Sequence, residues 1–130
     1  MTARVPLLAL AFALVPAVAL AQAPPAPEVT GVPLYPGAHY EAQASEGMSQ
    51  PSEKYYIFTT ADSLPQVVAF FEHATRKKGE ALAGAVIIAI EGKSPFPSHG
   101  VLVERNRPGM YPAPVRTIYT VRRAPSSPEE

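Results

Sequence analysis

The stretch "TTADSLPQVVAFFEHATRKKG", residues 59–79, holds a start signal, an apolar stripe and a stop signal for one helix. Ser63 at the N-cap with Gln66 three residues later is the capping-box arrangement. Pro65 falls in the first turn, where a missing N–H costs nothing. Leu64, Val67, Val68, Phe71 and Ala74, with Phe70 beside them, keep the i, i+3, i+4 rhythm of an apolar face. Arg76, Lys77 and Lys78 gather where the helix dipole favours positive charge, and Gly79 suits the left-handed position that ends a helix. A helix with one apolar face must bury it against another layer, so the flanks are read for strands.

Upstream, "KYYIFTT" (residues 54–60) is rich in aromatic and β-branched residues and predicts a strand, with Tyr55, Ile57 and Thr59 on one face and Tyr56 and Phe58 on the other. Tyr35-Pro36-Gly37-Ala38 meets the demands of a type II turn, Pro at the second position and Gly at the third. A strand is predicted to leave that corner over His39 to Gln43, and the polar run "SEGMSQPSE" (residues 45–53) predicts a wide hairpin loop. Downstream, Ala81 to Ile90 is an unbroken run of apolar and Gly residues, too short to cross a bilayer. Its Val86-Ile87-Ile88 centre predicts a buried strand, while residues 80–83 suit a helix as well as a strand. Residues 99–106 and 115–123 alternate as strands, joined by the proline-rich loop "RPGMYPAP" (residues 107–114). The expected order is β-β-α-β-β-β. The fold class is α+β, with a single helix packed on one face of a mainly antiparallel sheet in two layers.

The ends read differently. Arg4 followed by the apolar run "LLALAFALVPAVALA" (residues 7–21) and closed by Ala19-Leu20-Ala21 has the three parts of a secretory signal peptide, with cleavage expected after Ala21. The expected location is therefore outside the cytoplasm, periplasmic or extracellular. A membrane becomes a partner only if residues 1–21 are retained as an anchor. Residues 22–31, "QAPPAPEVTG", read as a Pro/Ala-rich linker, residues 32–123 as one α+β domain, and residues 124–130 as a disordered tail.

Charge and composition narrow the function. The whole chain balances 11 Lys+Arg against 11 Asp+Glu, and loss of Arg4 with the leader leaves a formal net charge of −1. Nucleic acid is not an expected partner, because phosphate contacts need a basic footprint. The chain has no Cys, so disulfides, thiolate metal sites and Cys nucleophiles are excluded.

The pattern Val32-Pro33-Leu34-Tyr35-Pro36-Gly37-Ala38, the aromatic strand Tyr55 to Thr60, and the helix start Asp62-Ser63 with Val67 and Phe70-Phe71 resemble a group of small exported bacterial domains of unknown function. The resemblance covers about residues 32–79 and departs at Glu80-Ala81, where such domains place a bulky apolar residue. It implies export and carries no catalytic motif to transfer.

No P-loop, dinucleotide or G-x-S-x-G motif is present, and no cofactor is expected. His39 and His99 each open a predicted strand and are candidates to meet at one sheet end with Glu41 or Glu104, though three scattered histidines (His73 is the third) do not make a metal site. Ser98 and His99 are neighbours on a strand, so they point to opposite faces and form no nucleophile–base pair. Apart from the basic helix end at Arg76 to Lys78, the cationic accumulation is Arg105, Arg107, Arg116, Arg122 and Arg123. Of these, Arg105, Arg116 and Arg122, together with His99, are the candidate ligand-binding residues, suited to an anionic ligand or a polymer of the cell envelope. The reading is a non-catalytic binding or accessory domain of the bacterial envelope, with tyrosines Tyr40, Tyr55, Tyr56 and Tyr119 available as contact residues. The alternative is a small hydrolase using His99 with a nearby carboxylate such as Glu104.

Overall fold

The computed structural model describes residues 23–125, so the expected leader and all of the expected tail beyond Pro125 lie outside the described residues. In chain order the elements are α1 (Pro27–Thr30), β1 (His39–Tyr40), α2 (Ala42–Met48), β2 (Lys54–Thr60), α3 (Leu64–Thr75), β3 (Glu80–Leu82), β4 (Ala85–Glu91), β5 (His99–Arg105) and β6 (Thr117–Arg123). The fold is α+β, and its six strands form one antiparallel sheet in the order β1-β2-β6-β5-β4-β3. Helix α3 carries the chain from β2 to the far edge, and the β3-β4-β5-β6 meander then returns to pair β6 with β2.

Register sorts the side chains into two faces. Phe58 lies opposite Tyr119, Tyr119 opposite Val103, and Val121 opposite Val101, which lies opposite Ile88. These residues are buried with Val67 and Phe71 of α3 and with Val32 and Tyr35 from the N-terminal segment. Aromatic rings dominate the centre: Tyr119 stacks on Phe58 at 4.6 Å and meets Phe71 at 4.7 Å, while Tyr35 sets its edge against Phe70 at 5.1 Å. The Tyr119 hydroxyl accepts the Tyr35 backbone N–H at 3.2 Å, and the Tyr35 hydroxyl donates to Asp62 at 2.5 Å. Burial first, and the Asp62 carboxylate second, push the Tyr35 hydroxyl up to about 12. The Tyr35–Ala38 turn closes with an Ala38 N–H to Tyr35 carbonyl bond at 3.0 Å, and Gly37 takes a φ of 80°. It is a corner that plants Tyr35 in the core.

The helix starts at its expected cap, with Gln66 accepting the Ser63 backbone N–H at 2.9 Å. Its end differs from expectation: Arg76 takes the left-handed position at φ 59°, and the Gly79 N–H instead donates to Glu72 Oε2 at 2.6 Å. Ala74 is exposed, because the buried stripe centres on Val67 and Phe71.

Three further expectations are corrected. The strand leaving the corner ends at Tyr40, and residues 42–48 of the expected strand and hairpin loop are α2. This helix runs along the outer edge of β2, where Ser45 Oγ accepts the Ile57 N–H at 2.8 Å and Ser49 Oγ accepts the Tyr55 N–H at 2.9 Å. Two hydroxyls one helical turn apart thus satisfy strand-edge donors that would otherwise invite another chain. The expected linker is ordered in its second half: residues 27–30 form α1, and Thr30 is buried with its carbonyl 2.8 Å from His99 Nε2. Residues 80–82 form β3, an edge strand beyond the five predicted.

Candidate functional site

The even-numbered residues of β5 and β6 and the odd-numbered residues of β2 face away from α3, and this face carries an apolar groove. Ile87 and Leu102, which are direct partners across β4 and β5, join Thr120 of β6 and Tyr55 of β2 in the floor of a groove of about 460 Å³. Three exposed apolar side chains form its rim: Met48 at the end of α2, Leu82 of β3, and Phe96 in the 92–98 loop, which is 82 % exposed. A single exposed apolar residue needs no explanation, but several around one concavity mark a binding surface.

The groove's polar end is built around Arg122. Its guanidinium lies 3.3 Å from Glu53 and also donates to the Pro97 carbonyl, which ties the 92–98 loop to the sheet. Glu53 in turn accepts the Tyr55 hydroxyl at 2.8 Å. At this end charge is balanced, with donor and acceptor capacity side by side, while a second carboxylate in the lining, Glu104, stands towards the other end of β5. Gly100 makes the loop's approach possible: a Cβ there would sit 2.7 Å from Pro97 Cγ and 2.8 Å from the Ile88 carbonyl oxygen.

The candidate residues read from the sequence separate into different places. Arg122 is in the groove. Arg105 and Arg116 line a hollow at the opposite end of the sheet, beside the start of α3. His99 is buried on the α3 face, locked to Thr30. His39 and His99 do not meet, because three antiparallel steps separate β1 from β5 and their first residues lie at opposite sheet ends. His99 and Glu104 do not pair either: odd and even positions of one strand face opposite ways, and five residues span about 17 Å. Among the described residues no three His, Asp or Glu side chains group as a metal site. No described helix is long and apolar enough to cross a membrane.

His99 is a structural latch. Its Nε2–H donates to the Thr30 carbonyl, and Arg123 reaches the Val29 carbonyl at 3.4 Å, so the two hold α1 against β6. Burial above all, with a smaller push from Arg123, holds the His99 imidazole below the usual histidine range, against the opposing pull of the Thr30 carbonyl and Glu91. The unfolded chain therefore takes up the proton first as pH falls. Stability present above about pH 6.5 is lost as pH falls towards the folded value. The melting temperature is expected to drop on acidification from about pH 6.5 to 5. His99→Gln is expected to flatten that slope. An unchanged slope in the variant would place the titration elsewhere.

Sequence reasoning overlooked the groove, although two signals for it exist. Val86 to Ile90 is apolar on both strand faces, which calls for a second apolar surface, and Phe96 stands between two prolines in a loop. No family model matches the chain, and neither a curated protein nor a solved structure matches it.

Proposed function

We propose that the protein is an exported, non-catalytic binding domain of the bacterial envelope that takes a small amphipathic molecule in the groove between Leu82, Met48 and Phe96. The groove carries this reading. Its volume of about 460 Å³ falls in the range of small-ligand sites, roughly 300–1,000 Å³. Apolar walls favour an apolar body. The mutual neutralisation of Arg122 and Glu53 favours an uncharged polar end that can both accept and donate, rather than an anionic head. Export rests on the leader-like residues 1–21.

The test uses the neutral fluorescent probe N-phenyl-1-naphthylamine. Saturable one-to-one binding is expected, and Phe96→Ser should weaken it about tenfold, the scale of one buried aromatic contact. Leu102→Gln, on the floor, should weaken it as well, with circular dichroism confirming the fold. Binding that does not saturate, or an affinity unchanged in both variants, would defeat the proposal.

A further inference from the structure

The hollow at the other end of the sheet has a different chemistry. It encloses about 580 Å³, and its lining includes Ser63, Arg105, Arg107, Tyr111 and Arg116 but no acidic residue. Of the three arginines only Arg107 has a carboxylate partner, Glu104 at 3.5 Å, in a pair whose arginine is 71 % exposed. Among the described residues, Arg105 and Arg116 lie within ion-pair distance of no acid. Two uncompensated guanidiniums and a third held loosely thus share one concavity, in a chain whose overall charge is balanced. Such a concentration raises the local potential for anions.

The loop that presents these groups is framed from within. Asn106 Nδ2 donates to the carbonyls of Tyr111 at 2.9 Å and Val115 at 3.1 Å. The Asn106 N–H reaches the Arg116 carbonyl at 2.9 Å, and the Arg116 N–H reaches the Thr60 carbonyl at 2.9 Å. Arg105 and Arg116 are therefore fixed at the base of a braced loop, one at the end of β5 and the other just before β6. The side chains themselves stay exposed and free to fork around a ligand.

We infer that Arg105, Arg107 and Arg116 form a site for a phosphate group, either free or carried on a lipid headgroup. Planar guanidiniums match the spacing of phosphate oxygens and bind them in pairs, and their charge survives at every physiological pH. Tyr111 borders the same space, and its hydroxyl is an uncharged donor, whereas the Ser63 hydroxyl donates to Gln66 Oε1 at 3.0 Å within the helix cap. This site shares no lining residue with the groove, and the two are joined only through the exposed pair of Arg107 with Glu104, which lines the groove.

The full exported protein is titrated with inorganic phosphate while the arginine Nε–H and backbone amide signals are followed by NMR. Saturable shifts are expected at Arg105, Arg107, Arg116 and Ser63, with at least a tenfold loss of affinity in Arg105→Gln/Arg116→Gln and none in Lys77→Gln. A second arm measures co-sedimentation with phosphatidylglycerol and with phosphatidylcholine vesicles. Retention on the anionic vesicles alone, lost in the double variant, assigns the phosphate to a lipid. Phosphate binding without vesicle binding assigns it to a soluble ligand. Equal shifts with chloride at matched ionic strength, or no response in either arm, would overturn the inference.

Discussion

Replacing Phe71 with alanine is expected to cost about 3–5 kcal/mol, the usual range for removing a fully buried aromatic ring. Phe71 has no exposed surface and contacts Tyr119 at 4.7 Å, Phe70 at 5.0 Å and Tyr35 at 6.4 Å between ring centres. The stability of a domain of this size is about 5–15 kcal/mol, so a loss on this scale removes a large share of it. In thermal unfolding the change should lower the melting temperature by at least about 12 °C, at about 4 °C per kcal/mol. Tyr119→Phe separates ring from hydroxyl at the same centre. It keeps the stack on Phe58 but leaves the buried Tyr35 N–H without its acceptor, at a cost of about 1–3 kcal/mol. A shift of only one or two degrees in Phe71→Ala would mean that α3 does not rest on this aromatic centre.

The parts of the fold that were legible are those whose signals are local. Ser63, Gln66 and the Val67–Phe71 stripe mark α3 because capping and periodicity act within a few residues. The alternation of residues 54–60, 99–105 and 117–123 marks β2, β5 and β6 for the same reason. Helix α2 was hidden because it does not pack by an apolar stripe. Its work is done by Ser45 and Ser49 at an i, i+4 spacing, and hydroxyls in a polar segment with Gly47 read as a loop. The placement of the arginines was hidden for another reason. Strand pairing is a long-range property: Arg116 and Arg122 stand at opposite ends because they flank one strand, but only the antiparallel register of β5 against β6, with Arg105 opposite Thr117, brings Arg105 to the Arg116 end. The separation of His99 from Glu104, by contrast, follows from strand parity alone.

The same distinction governs the second large effect, Gly100→Val. In sequence, Gly100 is only a weak residue within a strand pattern, and alone it predicts a bulge or a close approach. In the fold it is the point where Pro97 settles onto the sheet, and a Cβ would fall 2.8 Å from the Ile88 carbonyl oxygen, an atom of the backbone that cannot swing aside. Pro97 is the easier neighbour to displace, so the 92–98 loop should lift, breaking the Arg122 bond to the Pro97 carbonyl and moving Phe96 from the rim. Overpacking of this kind costs about 1–3 kcal/mol, and valine, filling more space than alanine, belongs towards the upper end. The melting temperature should then fall by roughly 8 °C or more, scaling from about 4 °C per kcal/mol. Binding of the neutral probe should weaken at least as much as in Phe96→Ser, because the wall moves as a unit, while phosphate shifts at Arg105 and Arg116 should persist at the other end of the sheet. A valine variant that melts like the parent and binds the probe unchanged would show that Pro97 does not depend on the bare glycine, and the groove would then lose its proposed wall.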